Sequence, residues 1–205
     1  MGLEIFKILI DIFHQNNFRI YMIGGTSRDY LLGKSFFDYD FVTDATPEQM
    51  KTFLPNANYR FEKFGSVRLK VNNTKVDITT LRIEDEYLDH RHPNKIRFTT
   101  KLEEDVLRRD FTINALYIDE EMNVIDLVNG LDDLHNGIIR FIGNPEKRIK
   151  EDPLRILRAE RFKIKLHFEF EEQTRLNIEK YHYLINEKKK KKIDEETRKK
   201  ENDIW

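Results

Sequence analysis

The sequence predicts an α+β fold: a mixed α/β head of about 140 residues followed by an all-helical segment. Two observations carry this. Up to Asp126 the apolar residues switch repeatedly between helical spacing and the alternation of strands, with glycine and asparagine turn signals at the switches. After Ile139 only the helical pattern remains.

Leu3, Phe6, Leu9, Ile10 and Phe13 recur on one face and predict an opening amphipathic helix. Arg19 to Ile23 predicts a short strand entering Gly24-Gly25, then a helix over Ser27 to Leu32 stopped by Gly33. Asp38 to Val42 alternates as a half-buried strand does, and Thr46-Pro47-Glu48-Gln49 opens a further helix with proline in its first turn. Tyr59 to Thr80 is strand-like, with Asn72-Asn73 as a hairpin turn between Val67–Val71 and Lys75–Thr79. Tyr59, Phe61 and Phe64 are expected in the core. Arg82 to Thr100 is polar, without clear period, and is expected to be a long mobile loop carrying His90, Arg91 and His92. Helical character resumes near Glu103, and Leu116–Ile118 and Val124–Asp126 form two short strands. Pro153 to Lys165 and Gln173 to Ile185 are the helices expected beyond. The expected division is therefore a head over 1–140, a helical segment over 141–186 and a charged, frayed tail over 187–205 that includes the run Lys188 to Lys192.

Composition narrows function little. The 205 residues include 39% apolar residues, with 15 Phe and 8 Tyr as bulky core material. Basic and acidic side chains number 36 and 37, so nucleic-acid binding would need a local basic surface rather than net charge. Cysteine is absent, which excludes disulfides and thiolate metal sites and suits a reducing cytoplasm. Glu4, Lys7 and Asp11 interrupt the apolar residues of the first helix, so no secretory signal is expected there. No later stretch resembles a membrane span, and a soluble cytoplasmic protein without a membrane partner is expected.

Two constellations suggest chemistry. In the first, Gly24-Gly25-Thr26-Ser27-Arg28-Asp29-Tyr30-Leu31-Leu32-Gly33 precedes Asp38-Tyr39-Asp40. Glycines between a strand and a helix allow backbone N–H groups to approach a triphosphate, aided by the helix N-terminus. Asp38 and Asp40 project from one strand face and repel each other unless a cation lies between them. Magnesium suits such oxygen donors. Asp77, alternating with Val76 and Ile78, is the candidate third carboxylate. A lone Gly-Gly is usually a turn and a lone Asp-x-Asp usually a solvated strand, so it is their spacing that counts. In the second, Asp105-Val106-Leu107-Arg108-Arg109-Asp110-Phe111-Thr112-Ile113-Asn114-Ala115 sets forked cations beside groups that accept from ribose hydroxyls. The plain alternative is a helix start capped by Asp110, its arginines paired with nearby acids.

Together these segments resemble the first two signature motifs of the class II tRNA nucleotidyltransferase/poly(A) polymerase family, within the polymerase β superfamily. Asp126-Leu127-Val128-Asn129-Gly130 with Asp133-Leu134 and Ile139-Arg140 resembles its third motif, and Glu151-Asp152-Pro153-Leu154-Arg155 running to Arg158-Ala159-Glu160-Arg161-Phe162 its fourth. The match covers about residues 20 to 165. The resemblance implies a polymerase β-like head and neck that add C and A to the 3′ end of tRNA from CTP and ATP, using two Mg2+ ions. It implies that Asp38, Asp40 and Asp77 are the catalytic metal ligands and that Gly24, Gly25 and Arg28 hold the triphosphate. Asp105, Arg108, Asp110 and Asn114 would surround ribose and nucleotide, while Asp152 and Arg155, with Arg158 nearby, would read the base.

That last role has its own chemical logic. Cytosine and adenine each present an amino donor beside a ring-nitrogen acceptor, matching a carboxylate beside an arginine, whereas uracil and guanine reverse the order. Residues three apart on a helix would share a face. Asp-Pro is equally a natural helix cap. His90-Arg91-His92 lies where the family has a loop that helps switch from C to A addition, and the lysine run could touch RNA phosphates, although exposed loop and solvated tail are the simpler expectations.

Family members continue through further RNA-binding domains, and no fifth motif is legible in Gln173 to Trp205. The expectation is a chain that binds nucleotide and metal but handles tRNA poorly unless self-association or a partner chain supplies the remainder. The alternatives are poly(A) synthesis, addition of only A or only C, or a truncated nucleotide- or RNA-binding remnant; transfer to a small molecule or protein is disfavoured by the base-reading pair.

Overall fold

The computed structural model describes residues 2–36, 39–87 and 93–186. Its head is a seven-stranded mixed sheet with helices packed on it. The opening helix α1 (Gly2–Gln15) buries Ile5, Phe6, Leu9 and Phe13, while Leu3 stays exposed at the stripe's edge. The short strand β1 (Ile20–Met22) follows. It runs into α2 (Gly24–Leu31), three residues earlier than the sequence suggests, so both glycines belong to the helix. Gly33, at φ +65°, ends it as expected. Next come β2 (Asp40–Thr43) and α3 (Pro47–Phe53), the latter capped by a reciprocal Thr46–Gln49 pair.

Strands β3 (Asn58–Phe61), β4 (Ser66–Val71) and β5 (Thr74–Thr80) extend the sheet. Asn72 and Asn73 both adopt positive φ, the geometry of a two-residue hairpin turn. The ribbon β6 (Arg82–Tyr87) and β7 (Pro93–Phe98) precedes the short helix α4 (Leu102–Asp105), and β8 (Leu116–Ile118) and β9 (Val124–Asp126) complete the sheet. Strand order is β3-β4-β5-β2-β1-β8-β9, with β2 and β5 parallel and the other neighbours antiparallel. Beyond lie α5 (Gly130–Asn136), β10 (Ile138–Ile139), α6 (Pro145–Glu151), α7 (Leu154–Leu166), β11 (Glu169–Phe170) and α8 (Glu172–Tyr181).

The sheet is covered on both faces. Along β1, Ile20 and Met22 join a core with α1 and α3, whereas Tyr21 and Ile23 join Val42, Leu81, Val106 and Tyr117 on the other side. A third cluster packs Phe111, Leu116 and Ile139 against Ile149, Ile156, Ala159, Ile178 and Tyr181, seating the C-terminal helices on the head. No helix among the described residues is long and apolar enough to cross a membrane.

Several expectations need correction. Strand β2 is buried on both faces at Phe41, Val42 and Thr43 rather than half-buried, and Asp38 lies outside the described residues. Within Arg82 to Thr100, Arg82–Tyr87 and Pro93–Phe98 pair as an antiparallel ribbon rather than a loop; with register pairs such as Ile83–Arg97 and Glu84–Ile96 they lack the apolar alternation that marks a core-facing strand. His90, Arg91 and His92 lie outside the described residues, as does the tail from 187. Phe61 is exposed and Phe64 lines a cleft; Tyr59 alone of the three packs against the core, its hydroxyl donating to the Leu54 carbonyl at 2.9 Å. The short parallel pair β10–β11 and helix α5 were not anticipated, being too brief to show a period.

Gly130 is a test of the packing between α5 and the head. A Cβ there would come within 2.4 Å of the Thr112 carbonyl oxygen and 3.0 Å of a Leu116 methyl. Backbone cannot yield cheaply, so Gly130→Ala is expected to cost roughly 1–3 kcal/mol, read as a lower denaturation midpoint at unchanged slope.

Candidate active site

Parallel pairing of β2 with β5 puts Asp40 directly opposite Asp77. Neighbouring strands lie about 4.8 Å apart, so two half-buried carboxylates stand side by side, Asp40 at the start of β2 and Asp77 midway along β5. The end of β2 is tied to α2, because the Asp40 N–H donates to Thr26 Oγ1 at 2.8 Å. Gly24, at φ +69°, packs over the same carboxylate; a Cβ there would come within 3.4 Å of Asp40 Oδ2. A glycine therefore keeps the approach to Asp40 open while adopting a φ that other residues resist. On the far side Arg68 of β4, opposite Asp77 in register, forks onto it, Nε to Oδ1 at 2.6 Å and Nη2 to Oδ2 at 3.2 Å.

These oxygens are the hard donors that suit magnesium, and adjacent carboxylates call for positive charge between or beside them. The donor chemistry of Asp40 and Asp77 fits a divalent cation, while the Arg68 guanidinium already supplies part of the positive charge at Asp77. Among the described residues no three acidic or histidine side chains cluster; Asp38, which would be the third, lies outside them.

Asp40 and Asp77 line a cleft of about 430 Å³, which adjoins a second of about 630 Å³. Gly24, Phe64, Arg82, Arg108 and Arg109 line both. The larger cleft gathers Asp110 and Asn114 from the head with Asp152, Arg155 and Arg158 from the helices. Asp110 is its hub, accepting from Arg155 Nε at 2.6 Å and Arg158 Nε at 2.8 Å. Asp152 occupies the joint between α6 and α7 rather than the helix itself, so helical spacing is not what pairs it with Arg155. It accepts from the Leu154 N–H at 3.1 Å, as a cap would, and from Arg158 Nη2 at 3.0 Å. Arg155 is buried, with Nη1 donating to the Arg148 carbonyl at 2.6 Å and to Glu151 at 2.9 Å.

Three of the sequence-nominated residues, Gly25, Arg28 and Asp105, line neither cleft. The buried Arg28 donates to Asp29 Oδ1 at 2.6 and 2.8 Å and to Asn114 Oδ1 at 2.7 Å, with the Phe162 ring 5.3 Å from its guanidinium carbon. It thereby orients Asn114 at the cleft wall. Asp105 is fully buried and accepts from Arg108, Arg109, the Tyr117 hydroxyl and the Arg82 N–H. Burial alone would push its carboxyl up, but Arg109 foremost, then Arg108, Tyr117 and the Arg82 amide, hold it well below the usual carboxylate range. Burial pushes the Tyr117 hydroxyl up.

Further participants had no assigned role in the sequence. Arg148 donates through Nη2 to the carbonyls of Arg108 and Arg109 at 2.7 and 2.8 Å, a span of some 40 residues with no local signature. Thr26 and Phe162 are equally silent. Arg68 was within reach of inference, because counting back from the Asn72-Asn73 turn places it opposite Asp77.

Fold and site together define a polymerase β-like nucleotidyltransferase head carrying a short helical extension. Residues 20–140 match the family model described as the Poly A polymerase head domain, and the chain belongs to that family, which includes the class II tRNA nucleotidyltransferases. It is 42% identical over 177 residues to the CCA-adding enzyme of Ligilactobacillus salivarius, covering 86% of this chain and 44% of that one. The crystal structure of the Bacillus stearothermophilus CCA-adding enzyme in complex with CTP superposes with a TM-score of 0.76 at 33% identity, over 84% of this chain and 42% of that one. A tRNA nucleotidyltransferase complexed with a primer tRNA and an incoming ATP analog gives 0.68 at 34% identity, over 85% and 49%. The chain thus spans less than half the length of these relatives.

Asp105 provides a test of the scaffold behind the clefts. Asp105→Asn should cost about 3–5 kcal/mol, because it strands Arg109 and Arg108 beside a neutral group. A depressed carboxylate contributes in full above its unfolded pKa of about 3.9 and loses its contribution as pH falls through the lower folded value. The stability gap between the two proteins should therefore hold from pH 7 to about pH 4 and narrow only below that, as followed by denaturant titration.

Proposed function

We propose that the chain is the catalytic part of a template-independent RNA nucleotidyltransferase that adds C and A to the 3′ end of tRNA, taking CTP and ATP and releasing pyrophosphate. One observation carries this: the Asp40–Asp77 pair opens onto the same walls as the Asp110, Asp152, Arg155 and Arg158 cluster. A phosphate-handling site and a base-handling site thereby share the walls formed by Gly24, Phe64, Arg82, Arg108 and Arg109. The CTP, ATP analog and primer tRNA named in the related structures support the substrate assignment.

Asp38, Asp40 and Asp77 would hold Mg2+, two ions in all, which when bound neutralises triphosphate charge and favours ionisation of the RNA 3′-hydroxyl. The chain's own groups do the rest. Gly24 and Gly25 let main chain approach the triphosphate, and Arg108 lies where both clefts meet, a permanent cation for its oxygens. Arg28 acts indirectly by fixing Asn114, and Asp105 by fixing Arg108. Asn114 and Asp110 accept from ribose hydroxyls. Asp152 accepts from the amino group of cytosine or adenine while Arg155 donates to the ring nitrogen, an order that uracil and guanine cannot satisfy. In the free protein Arg158 holds Asp152, and it yields that oxygen to the base.

We assign residues 1–140 to the catalytic head and 141–186 to a neck that completes the base site. The setting we propose is the cytoplasm.

The test is labelled-NTP incorporation by the full chain with magnesium, on tRNA ending before CCA or at CC and on unrelated RNA. C then A on tRNA alone is expected; A on any RNA would indicate poly(A) synthesis, and binding without transfer a nucleotide-binding remnant. Asp40→Asn should lower transfer at least about a thousandfold, matching the several kcal/mol that a metal-held carboxylate supports, and transfer that survives the change would sink the assignment.

A further inference from the structure

Three adjacent strands form one row across the sheet: Arg68 on β4, Asp77 on β5 and Asp40 on β2. The register is direct at both steps, so the row ends in a cation rather than a third acid. Arg68 engages both oxygens of Asp77, and the two side chains are 55% and 38% exposed. No core contact explains the arginine there. Its neighbours in β4, Val67 and Leu69, point the other way and pack on the core, leaving Arg68 on the open face. A guanidinium on both oxygens of Asp77 takes one lone pair of each and sets a permanent positive charge against any second cation that approaches them.

We propose that Arg68 is a positioning residue that competes with the divalent cation for Asp77, holding the acid in place and neutralised until an ion displaces the guanidinium. This rests on the assignment of Asp40 and Asp77 as metal ligands. The consequence is a weaker intrinsic hold on metal in the nucleotide-free protein, since each binding event must weaken an ion pair and bring a dication near a fixed positive charge. An exposed forked pair is a modest interaction, so the competition amounts to a small factor rather than a block.

Mn2+ titration of the full chain without nucleotide, followed by calorimetry or by the spin-resonance signal of free Mn2+, tests it. Arg68→Gln is expected to bind Mn2+ about two- to fivefold more tightly than the native protein. Arg68→Lys, which keeps the charge and loses the fork, should fall between. In an Asp77→Asn background the gain from Arg68→Gln should shrink, because the group competed for is gone and only repulsion through space remains. Unchanged or weaker Mn2+ binding by Arg68→Gln would overturn the inference alone, as would an equal gain in the Asp77→Asn background. Absence of Mn2+ binding by native and variant proteins, or native binding untouched by Asp40→Asn, would overturn the metal-site assignment and this inference with it. Thermal melts of each variant confirm that the exposed substitution leaves folding intact.

Discussion

Register between β2 and β5 decides whether two carboxylates meet, because a slip of one residue would send one of them to the opposite face of the sheet. Several features fix that register. Phe41 and Val42 are buried on opposite sides of the sheet, so neither can trade places without exposing one core and overfilling the other. Thr43 Oγ1 donates to the Arg19 carbonyl at 2.6 Å, and Thr80 Oγ1 to the Ala45 carbonyl at 2.8 Å, pinning the far ends of both strands. At the near end Thr26 holds the Asp40 backbone to the helix that begins with the glycines. Carboxylates that repel each other are thus brought together by apolar burial and threonine hydrogen bonds, neither of which depends on a bound ion.

The second cleft is organised by arginines whose positions are set from behind. Asp105, with no exposed surface, gathers Arg108, Arg109 and Tyr117, and Arg148 closes over the carbonyls of Arg108 and Arg109 from the helical side. So many cations in one place would repel unless acids were interleaved. Asp105, Asp110, Glu151 and Asp152 supply the interleaving, and each arginine is held in one geometry by a carboxylate or carbonyl. Preorganisation of this kind spares the ligand the cost of arranging the donors itself.

Much of the head was legible in the sequence, for reasons that differ by element. The hairpin of β4 and β5 announced itself because two asparagines at positive φ have few other uses. Helix α1 showed a clean apolar stripe, and Gly33 a clean stop. The ribbon of β6 and β7 could not be seen, since strands that contribute little to a core carry little periodicity. Within the site, the motif residues pointed to the right region but not to their individual duties. Arg28 and Asp105 carry the chemistry of ligand-binding groups, yet lie one layer beneath the cleft, a distinction set by tertiary packing that residue type and spacing do not encode. Thr26 and Phe162 lie within the motif runs but Arg148 does not, and the partners of all three are distant in sequence, so nothing local assigns them a role.

Division of the chain into head and helices is less sharp at the site than in the sequence. Asp110 comes from the head, whereas Arg155 and Arg158, which donate to it, come from α7. Phe162 of the same helix lies against Arg28 and edge-on to Phe111. The larger cleft therefore exists only when Ile149, Ile156, Ala159 and Ile178 pack on Phe111 and Ile139. Apolar burial between the two segments positions a charged cluster that neither could assemble alone, since Asp110 without the helix would lose its arginines and the helix without Asp110 would set buried and half-buried cations side by side. The helical residues that follow the sheet are for that reason part of the cleft rather than a spacer, and a head truncated near residue 140 would keep the Asp40–Asp77 pair while losing Asp152, Arg155 and Arg158.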